Sequence, residues 1–433
     1  MGKIDNLIQS VPLPLDLGSG ERIRKHLPPG TGEYSVGCLD CDHTSEPLSD
    51  TGALLFRLYY PIEKTDIIKR HKQWPLWLPR RQYSEGFAHY LKLNTKVFGK
   101  IFKWLAGDVY IPALWQSPPC ANGKKFPVVM FSHGIGGNRT TNSTLCIELA
   151  SQGFIVVAME HRDGSASMTY EIKPNEKGNV EIVEEVEKTQ QKPNRHKRNH
   201  SFHGYNITDP EWKPFVHYEP WNEFEYRNNQ VKKRSRECSE ALNILTSLNL
   251  GVEVHNTLGG NFNNKLFKER MDLSKVIMMG HSFGGSTCLH TLAHDKRFII
   301  GAVLDGWMHP VGEEVYDNIT QPTLLLNMES FQWKENIEQM LKIQKNETEK
   351  NMITMKGACH QSVTDFQFIV GKRLARFMDC RHIIHPRVSL DLCNKAVLSF
   401  VWKHLGCEDR EIHEDILSGE HPLMIKGTNV DMS

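Results

Sequence analysis

Little in this chain points to a strongly charged partner or to a membrane crossing. Its 52 Lys and Arg face 51 Asp and Glu, a formal net charge of +1. That balance argues against nonspecific nucleic-acid binding, which depends on an excess of basic groups along a polyanion. No apolar run is long enough to span a bilayer, and no self-similarity at a period of about 20–50 residues marks a repeat array. The sequence has neither an H-E-x-x-H helix nor an EF-hand loop, so no metal and no other cofactor is expected. Its 10 cysteines are scattered. Only Cys38-x-x-Cys41 lies close together, and no second pair at zinc-finger spacing follows, so it reads as a reduced surface or structural pair rather than a site with His43. Met1–Gly20 carries one lysine and no continuous apolar core, unlike a secretory signal. Asn6 stands where a myristoylated Gly2 calls for Ser or Thr. A cytoplasmic location with free thiols is therefore expected. The sequons at Asn138, Asn142, Asn199, Asn206, Asn318 and Asn346 then read as chance matches.

What is present is a large apolar core and a series of short buried strands. The hydrophobic fraction of 39% can fill a substantial core, and a chain of this length fits one enzyme domain enlarged by loops around a single sheet. Pro127–Ser132, Phe154–Met159, Val276–Met279, Ile299–Leu304, Thr323–Met328 and Met352–Met355 read as strands. Phe154–Met159 is fully apolar, as a strand buried on both faces of a parallel sheet should be. Ala53–Tyr60 reads as an early strand ending at Pro61, and Ile67–Arg81 as an irregular Trp- and Pro-rich stretch. Val231, Cys238, Leu242, Leu245 and Leu248 recur at helical spacing along Asn229–Leu248, and a last helix lies around Lys395–Leu405. The fold class expected is α/β, with a mostly parallel central sheet flanked by helices. Residues 1–52 are assigned to a leading extension, 53–425 to one catalytic domain and 426–433 to a loose tail. Within the domain, about 171–210 is too charged to bury much and reads as a surface insertion.

The strongest local signal is Gly280-His281-Ser282-Phe283-Gly284, after the strand Val276–Met279 and before Gly285. A G-x-S-x-G turn between strand and helix holds its serine in a tight elbow at the end of the sheet. The partners of such a serine follow in the order acid, then histidine. Asp305 comes directly after Ile299–Leu304, and His360 lies in Gly357-Ala358-Cys359-His360 after Met352–Met355. Chemistry then assigns Ser282 as nucleophile, His360 as the base that takes its proton and returns it to the leaving group, and Asp305 as the anchor of the imidazole. An oxyanion needs two backbone amides, one from the residue after the nucleophile, here Phe283. The second comes from a glycine-rich loop after an earlier strand. His133-Gly134-Ile135-Gly136-Gly137 supplies Ile135, unless that loop is a plain turn.

Phe131-Ser132-His133-Gly134-Ile135-Gly136, Glu160-His161-Arg162-Asp163, Gly280–Gly285 and Leu304-Asp305-Gly306-Trp307-Met308 together resemble the platelet-activating factor acetylhydrolases of the plasma and intracellular type II group. These are serine-dependent phospholipases A2. The likeness runs from about Leu54 to about Leu405. Gln73–Arg80 and Glu211–Phe215 look more like the intracellular branch. The resemblance implies an α/β-hydrolase that needs no calcium and cleaves sn-2 acetyl, short or oxidised acyl esters of phospholipids. It places the triad on Ser282, Asp305 and His360, with amides at Ile135 and Phe283. The chain departs from the family pattern in having Gly164 where Arg usually follows His-Arg-Asp. It also reads as longer than its relatives between Tyr170 and Glu211.

Lys96–Leu105 sets Val97, Phe98, Ile101, Phe102 and Leu105 on one helical face with Lys96, Lys100 and Lys103 toward the other. That is the pattern of a basic amphipathic helix lying in a lipid headgroup layer; an ordinary core-facing helix is the competing reading. Gly371–Met378, with Leu374 and Phe377, is a second candidate contact. The partners expected are a phospholipid substrate and a membrane surface touched peripherally, with no nucleic acid and no obligate protein partner. Two other functions stay open: a broader carboxylesterase or lipase, and a catalytically silent lipid-binding protein.

Overall fold

A computed structural model describes residues 23–43, 52–106, 109–172, 210–258, 263–343, 350–369 and 383–433. Its strands are β1 (Ser35–His43), β2 (Leu54–Ile62), β3 (Leu114–Trp115), β4 (Phe126–Ser132), β5 (Ile155–Glu160), β6 (Met168–Glu171), β7 (Glu211–Pro214), β8 (Met271–His281), β9 (Phe298–Leu304), β10 (Thr323–Met328), β11 (Lys350–Met355) and β12 (Met424–Lys426). Ten of them form one sheet in the order β12-β11-β10-β9-β8-β4-β5-β2-β1-β3. From β5 through β4, β8, β9 and β10 to β11 every pairing is parallel. One edge is finished by antiparallel β12; on the other side antiparallel β2 and β1 follow, and the two-residue β3 closes the edge parallel to β1.

The main helices are α1 (Arg81–Tyr90), α2 (Thr95–Ala106), α3 (Ser143–Ser151), α4 (Phe224–Leu250), α5 (Phe283–His294), α6 (Lys334–Ile343) and α7 (Pro386–Leu405). Side chains of a strand alternate between faces, and here both faces are covered. Val129, Phe131, Val156, Ala158, Ile277 and Met279 pack with Phe87, Leu145 and Val397 of α1, α3 and α7. Their neighbours Val128, Met130, Ile155, Val157, Val276 and Met278 pack with Leu242, Leu289 and Ile337 of α4, α5 and α6. Double coverage is why the central strands read as unbroken apolar runs. The α/β fold with a mostly parallel, helix-flanked sheet is the one the sequence predicts.

Some sequence expectations need correction. Ser35–His43, assigned to the leading extension, is a nine-residue strand paired along its whole length with β2. Asp40 and Asp42 hide it, because both are buried and bound to arginines from other elements. Cys38 and Cys41 are no pair at all: three residues apart on a strand, they enter opposite core layers. β2 runs past Pro61 to Ile62. Ile67–Arg81, read as irregular, holds a short helical turn at His71–Gln73 and buries Trp74 and Trp77. The tail is tied down: Val430 and Met432 pack on the core, and Thr428 hydrogen-bonds Gln332. In α2, Phe102 is buried and its ring meets Phe87, and Phe98 packs half-buried beside the core, whereas Val97 and Ile101 are exposed. The face read as one lipid-facing stripe is therefore divided between core and solvent. Leu374 and Phe377 lie outside the described residues, as does most of 171–210. The antiparallel pair β6 and β7 brackets the latter.

Candidate active site

Ser282 joins β8 to α5 with φ 55° and ψ −118°. A non-glycine residue at positive φ costs roughly 1–3 kcal/mol and persists only where its surroundings enforce it. The flanking glycines are part of that enforcement. A Cβ on Gly280 would stand 2.0 Å from the carbonyl oxygen of Gly284, and one on Gly284 would stand 2.0 Å from that of Ser132. The spacing of the sequence motif is thus the packing distance between β8, α5 and β4. Ser282 N–H donates to Leu304 O at 3.0 Å, and Trp307 N–H donates to Ser282 O at 3.1 Å, pinning the elbow to the end of β9.

The three predicted residues meet there. Asp305 follows β9, and its N–H donates to Leu326 O at 2.7 Å. Its Oδ1 accepts from Met328 N–H at 2.7 Å, and its Oδ2 lies 2.6 Å from His360 Nδ1. A carboxylate only accepts, so Nδ1 carries the proton and Nε2 is the free base. Nε2 lies 2.9 Å from Ser282 Oγ. The His360 side chain is 12% exposed and Asp305 1%, so the acid is sealed and the base reaches a cavity. Phe331 stacks on the imidazole with ring centres 3.7 Å apart. His281 Nε2 sits 3.0 Å from His360 O. Burial, and then the neighbouring His360, holds His281 far below the usual imidazole range, which makes it a neutral donor.

The cavity above Ser282 measures about 240 Å³. Phe87, Tyr90 and Leu91 at the end of α1 wall it, together with Phe366, and Gly134–Gly137 form its rim. Tyr90 lies against Gly136, which has φ 71° and no room for a Cβ: the ring would be 2.6 Å away. Phe283 contributes one of the first N–H groups of α5, which have no partner within a helix. In the loop opposite, Gly136 N–H goes to Ser165 O and Gly137 N–H to Gly134 O. Ile135 packs in one cluster with Phe283, Trp307 and Val231 of α4, so the two predicted amides belong to neighbouring residues. The aromatic wall escaped the sequence reading, although Tyr83, Phe87, Tyr90 and Leu91 carry the i, i+4, i+7, i+8 signal of a helix with one apolar face.

A family model described as platelet-activating factor acetylhydrolase, isoform II, matches residues 19–422. The chain belongs to that family. It is 37% identical to the platelet-activating factor acetylhydrolase of Canis lupus familiaris, over 95% of this chain and 84% of that one. The enzyme of the same name from Bos taurus is 38% identical, over 94% and 83%. A putative phospholipase A2 of Schizosaccharomyces pombe is 24% identical over 96% and 98%. Among solved structures, a ferulic acid esterase from Streptomyces cinnamoneus superposes with a TM-score of 0.60 at 16% identity, covering 93% of this chain and 99% of that one. That likeness identifies the fold alone. Among the described residues, no helix is long and apolar enough to cross a membrane, and no cluster of His, Cys, Asp and Glu could hold a metal ion.

In this acetylhydrolase-family chain the Glu160-His161-Arg162-Asp163 motif is a buried support for the rim. His161 Nε2 lies 2.8 Å from Ser132 Oγ, and its Nδ1 lies 2.5 Å from Glu237 Oε2 on α4. Arg162 pairs with Asp42 at 2.6 Å, and Glu160 pairs with Arg139. Asp163 pairs with Arg234, whose Nη1 donates to His133 O at 2.7 Å and whose guanidinium covers the Phe283 ring. Burial pushes Asp163 upward, but Arg234 foremost overcomes it and holds the carboxyl at about 2. Glu237 behaves oppositely: burial, reinforced by the charge of Asp163, lifts it to about 8. Gly164 has φ 83°, and a Cβ there would meet Val216 at 2.9 Å, so this backbone accepts glycine where the family usually has Arg. Asn138 and Asn142 are buried, which removes both sequons from reach of a glycan.

Proposed function

We propose that this protein hydrolyses the sn-2 acetyl or other short acyl ester of phospholipids related to platelet-activating factor, through an acyl-enzyme on Ser282. The observation that carries the reading is the continuous chain from Asp305 Oδ2 through His360 to Ser282 Oγ, at 2.6 Å and 2.9 Å, opening on an apolar cavity. Family membership supports a phospholipid ester as the substrate class. His360 takes the Ser282 proton as Oγ attacks the ester carbonyl, and Asp305 stabilises the imidazolium. The amides of Ile135 and Phe283 hold the oxyanion. His360 then protonates the departing lysolipid oxygen and activates the water that releases the acid. Nucleophile activation and charge stabilisation are both filled by protein groups, so the reaction is expected to proceed without calcium. A cavity of about 240 Å³ is small beside the roughly 300–1,000 Å³ that holds a drug-sized ligand, which favours a short acyl group.

The test is hydrolysis of matched phosphatidylcholines with sn-2 acetyl, glutaryl and palmitoyl chains in EDTA. Preference for acetyl or glutaryl supports the proposal. Equal turnover of palmitoyl makes the protein a general lipase, and no turnover of any of them sinks the reading.

A further inference from the structure

Among the described residues, four of the five buried arginines have carboxylate partners. Arg57 and Arg139 meet Asp40, Arg162 meets Asp42, and Arg234 meets Asp163. Arg227 on α4 is the exception among the described residues. It is 1% exposed, yet its partners are neutral: Nε donates to Trp221 O at 2.6 Å and Nη1 to Gln230 Oε1 at 2.8 Å. The guanidinium lies 5.0 Å from the ring centre of Tyr226, and Nη2 has no hydrogen-bond partner among the described residues. Burial accordingly draws the group below its ordinary pKa, while the carboxylates around Arg139 raise that residue far above it. Taking a charge out of water costs several kcal/mol unless an opposite charge answers it. A guanidinium kept in such a place is suited to an anion that arrives with a ligand.

The location favours one anion. Arg227, Val231 and Arg234 stand on one face of α4 at i, i+4 and i+7. Val231 shares one cluster with Phe283 and Trp307, against which Ile135 packs, and Arg234 holds His133 O. Arg227 is therefore about 6 Å along the helix from the turn that touches the oxyanion residues. Trp221, whose carbonyl binds Nε, stacks on Trp307 with ring centres 5.0 Å apart, and Trp307 meets Phe283 at 5.6 Å. Tyr90 of the cavity wall lies within electrostatic reach of the same guanidinium. In a glycerophospholipid the phosphodiester hangs from the carbon next to the one bearing the sn-2 ester, a few bonds from the reacting carbonyl. Resting on the phospholipid reading above, we propose that Arg227 is an anion subsite that receives the headgroup phosphodiester while the sn-2 ester lies at Ser282. A guanidinium presents planar donors that match phosphate oxygens.

The experiment compares kcat/KM for an sn-2 acetyl phosphocholine lipid with that for the phosphate-free 1-alkyl-2-acetylglycerol, using the full chain as wild type, Arg227→Lys and Arg227→Gln. The ratio of the two is expected to fall at least tenfold in Arg227→Gln and by less in Arg227→Lys. Glycerophosphocholine should also inhibit wild-type turnover of the neutral ester competitively, and inhibit Arg227→Gln more weakly. An unchanged ratio, including equal loss on both substrates, overturns the subsite and leaves Arg227 a structural residue. If Arg227→Gln does not fold, the wild-type competition decides: absence of inhibition, or inhibition by inorganic phosphate as strong as by glycerophosphocholine, overturns the headgroup assignment. If the wild type cleaves only the neutral ester, yet glycerophosphocholine inhibits it through Arg227, the phospholipid reading fails and the anion subsite stands.

Discussion

Glu237→Gln distinguishes two electrical descriptions of the layer beneath the Gly134–Gly137 rim. Glu237 is buried, 2.5 Å from His161 Nδ1, and burial with the charge of Asp163 lifts its pKa from 4.5 to about 8. Burial, and then Arg234, holds His161 far below the imidazole range. At neutral pH the contact is therefore a hydrogen bond between two uncharged groups, not an ion pair. In the unfolded chain Glu237 ionises near 4.5 instead. Between these values the folded protein holds the extra proton, so stability from this group falls as pH rises, by about 1.4 kcal/mol per pH unit. The contribution is complete below about pH 4.5 and gone by about pH 8, a change on the order of 5 kcal/mol across the window. Glutamine has the shape of the protonated acid and cannot ionise, so it lacks this dependence. Urea unfolding of both proteins from about pH 5 to about pH 8.5 measures the difference, in which the titration of His161 cancels. The variant should gain steadily on the wild type as pH rises, reaching a few kcal/mol. A flat gap, or a variant that falls behind with rising pH, would mean that Glu237 is ionised in the fold and that the neutral pair is wrong.

Asp305→Asn should lower kcat on a soluble acetyl ester by about 10³–10⁴-fold with KM little changed, because an amide favours the wrong imidazole tautomer; an unaltered kcat removes Asp305 from the relay. In α2 the two faces should respond differently. Val97→Ser with Ile101→Ser is expected to weaken association with phosphatidylcholine vesicles in a flotation assay while stability stays within about 0.5 kcal/mol. Phe102→Ala should cost about 3–5 kcal/mol in urea unfolding, and a harmless Phe102→Ala would return that side chain to the lipid-facing set.

The legible parts of this chain share one physical origin. Strands buried on both faces, such as β5 and β10, appear as apolar runs, and Ser282, Asp305 and His360 each follow such a run in the chain order expected of an α/β-hydrolase. The Gly280 and Gly284 positions were readable because no other residue fits between β8, α5 and β4. What stayed hidden depends on contacts distant in sequence. β1 reads as polar because Asp40 and Asp42 are answered by Arg57, Arg139 and Arg162 from other elements. The division of α2 between Phe102 and Val97 is set by where α1 lies, and no periodicity within α2 reports that. The isolation of Arg227 is visible only once the carboxylates near it are known to be taken. A local pattern can place a nucleophile, but it cannot say which buried charges have been neutralised.

Everything proposed for the chemistry depends on Ser282. The most direct measurement is reaction of the full chain with a fluorophosphonate, followed by peptide mass spectrometry and residual activity on the sn-2 acetyl lipid. One adduct is expected on the peptide containing Ser282, with activity lost in step with labelling and no labelling in Ser282→Ala. An adduct on another residue, or lipid hydrolysis that survives complete modification of Ser282, would contradict the assignment.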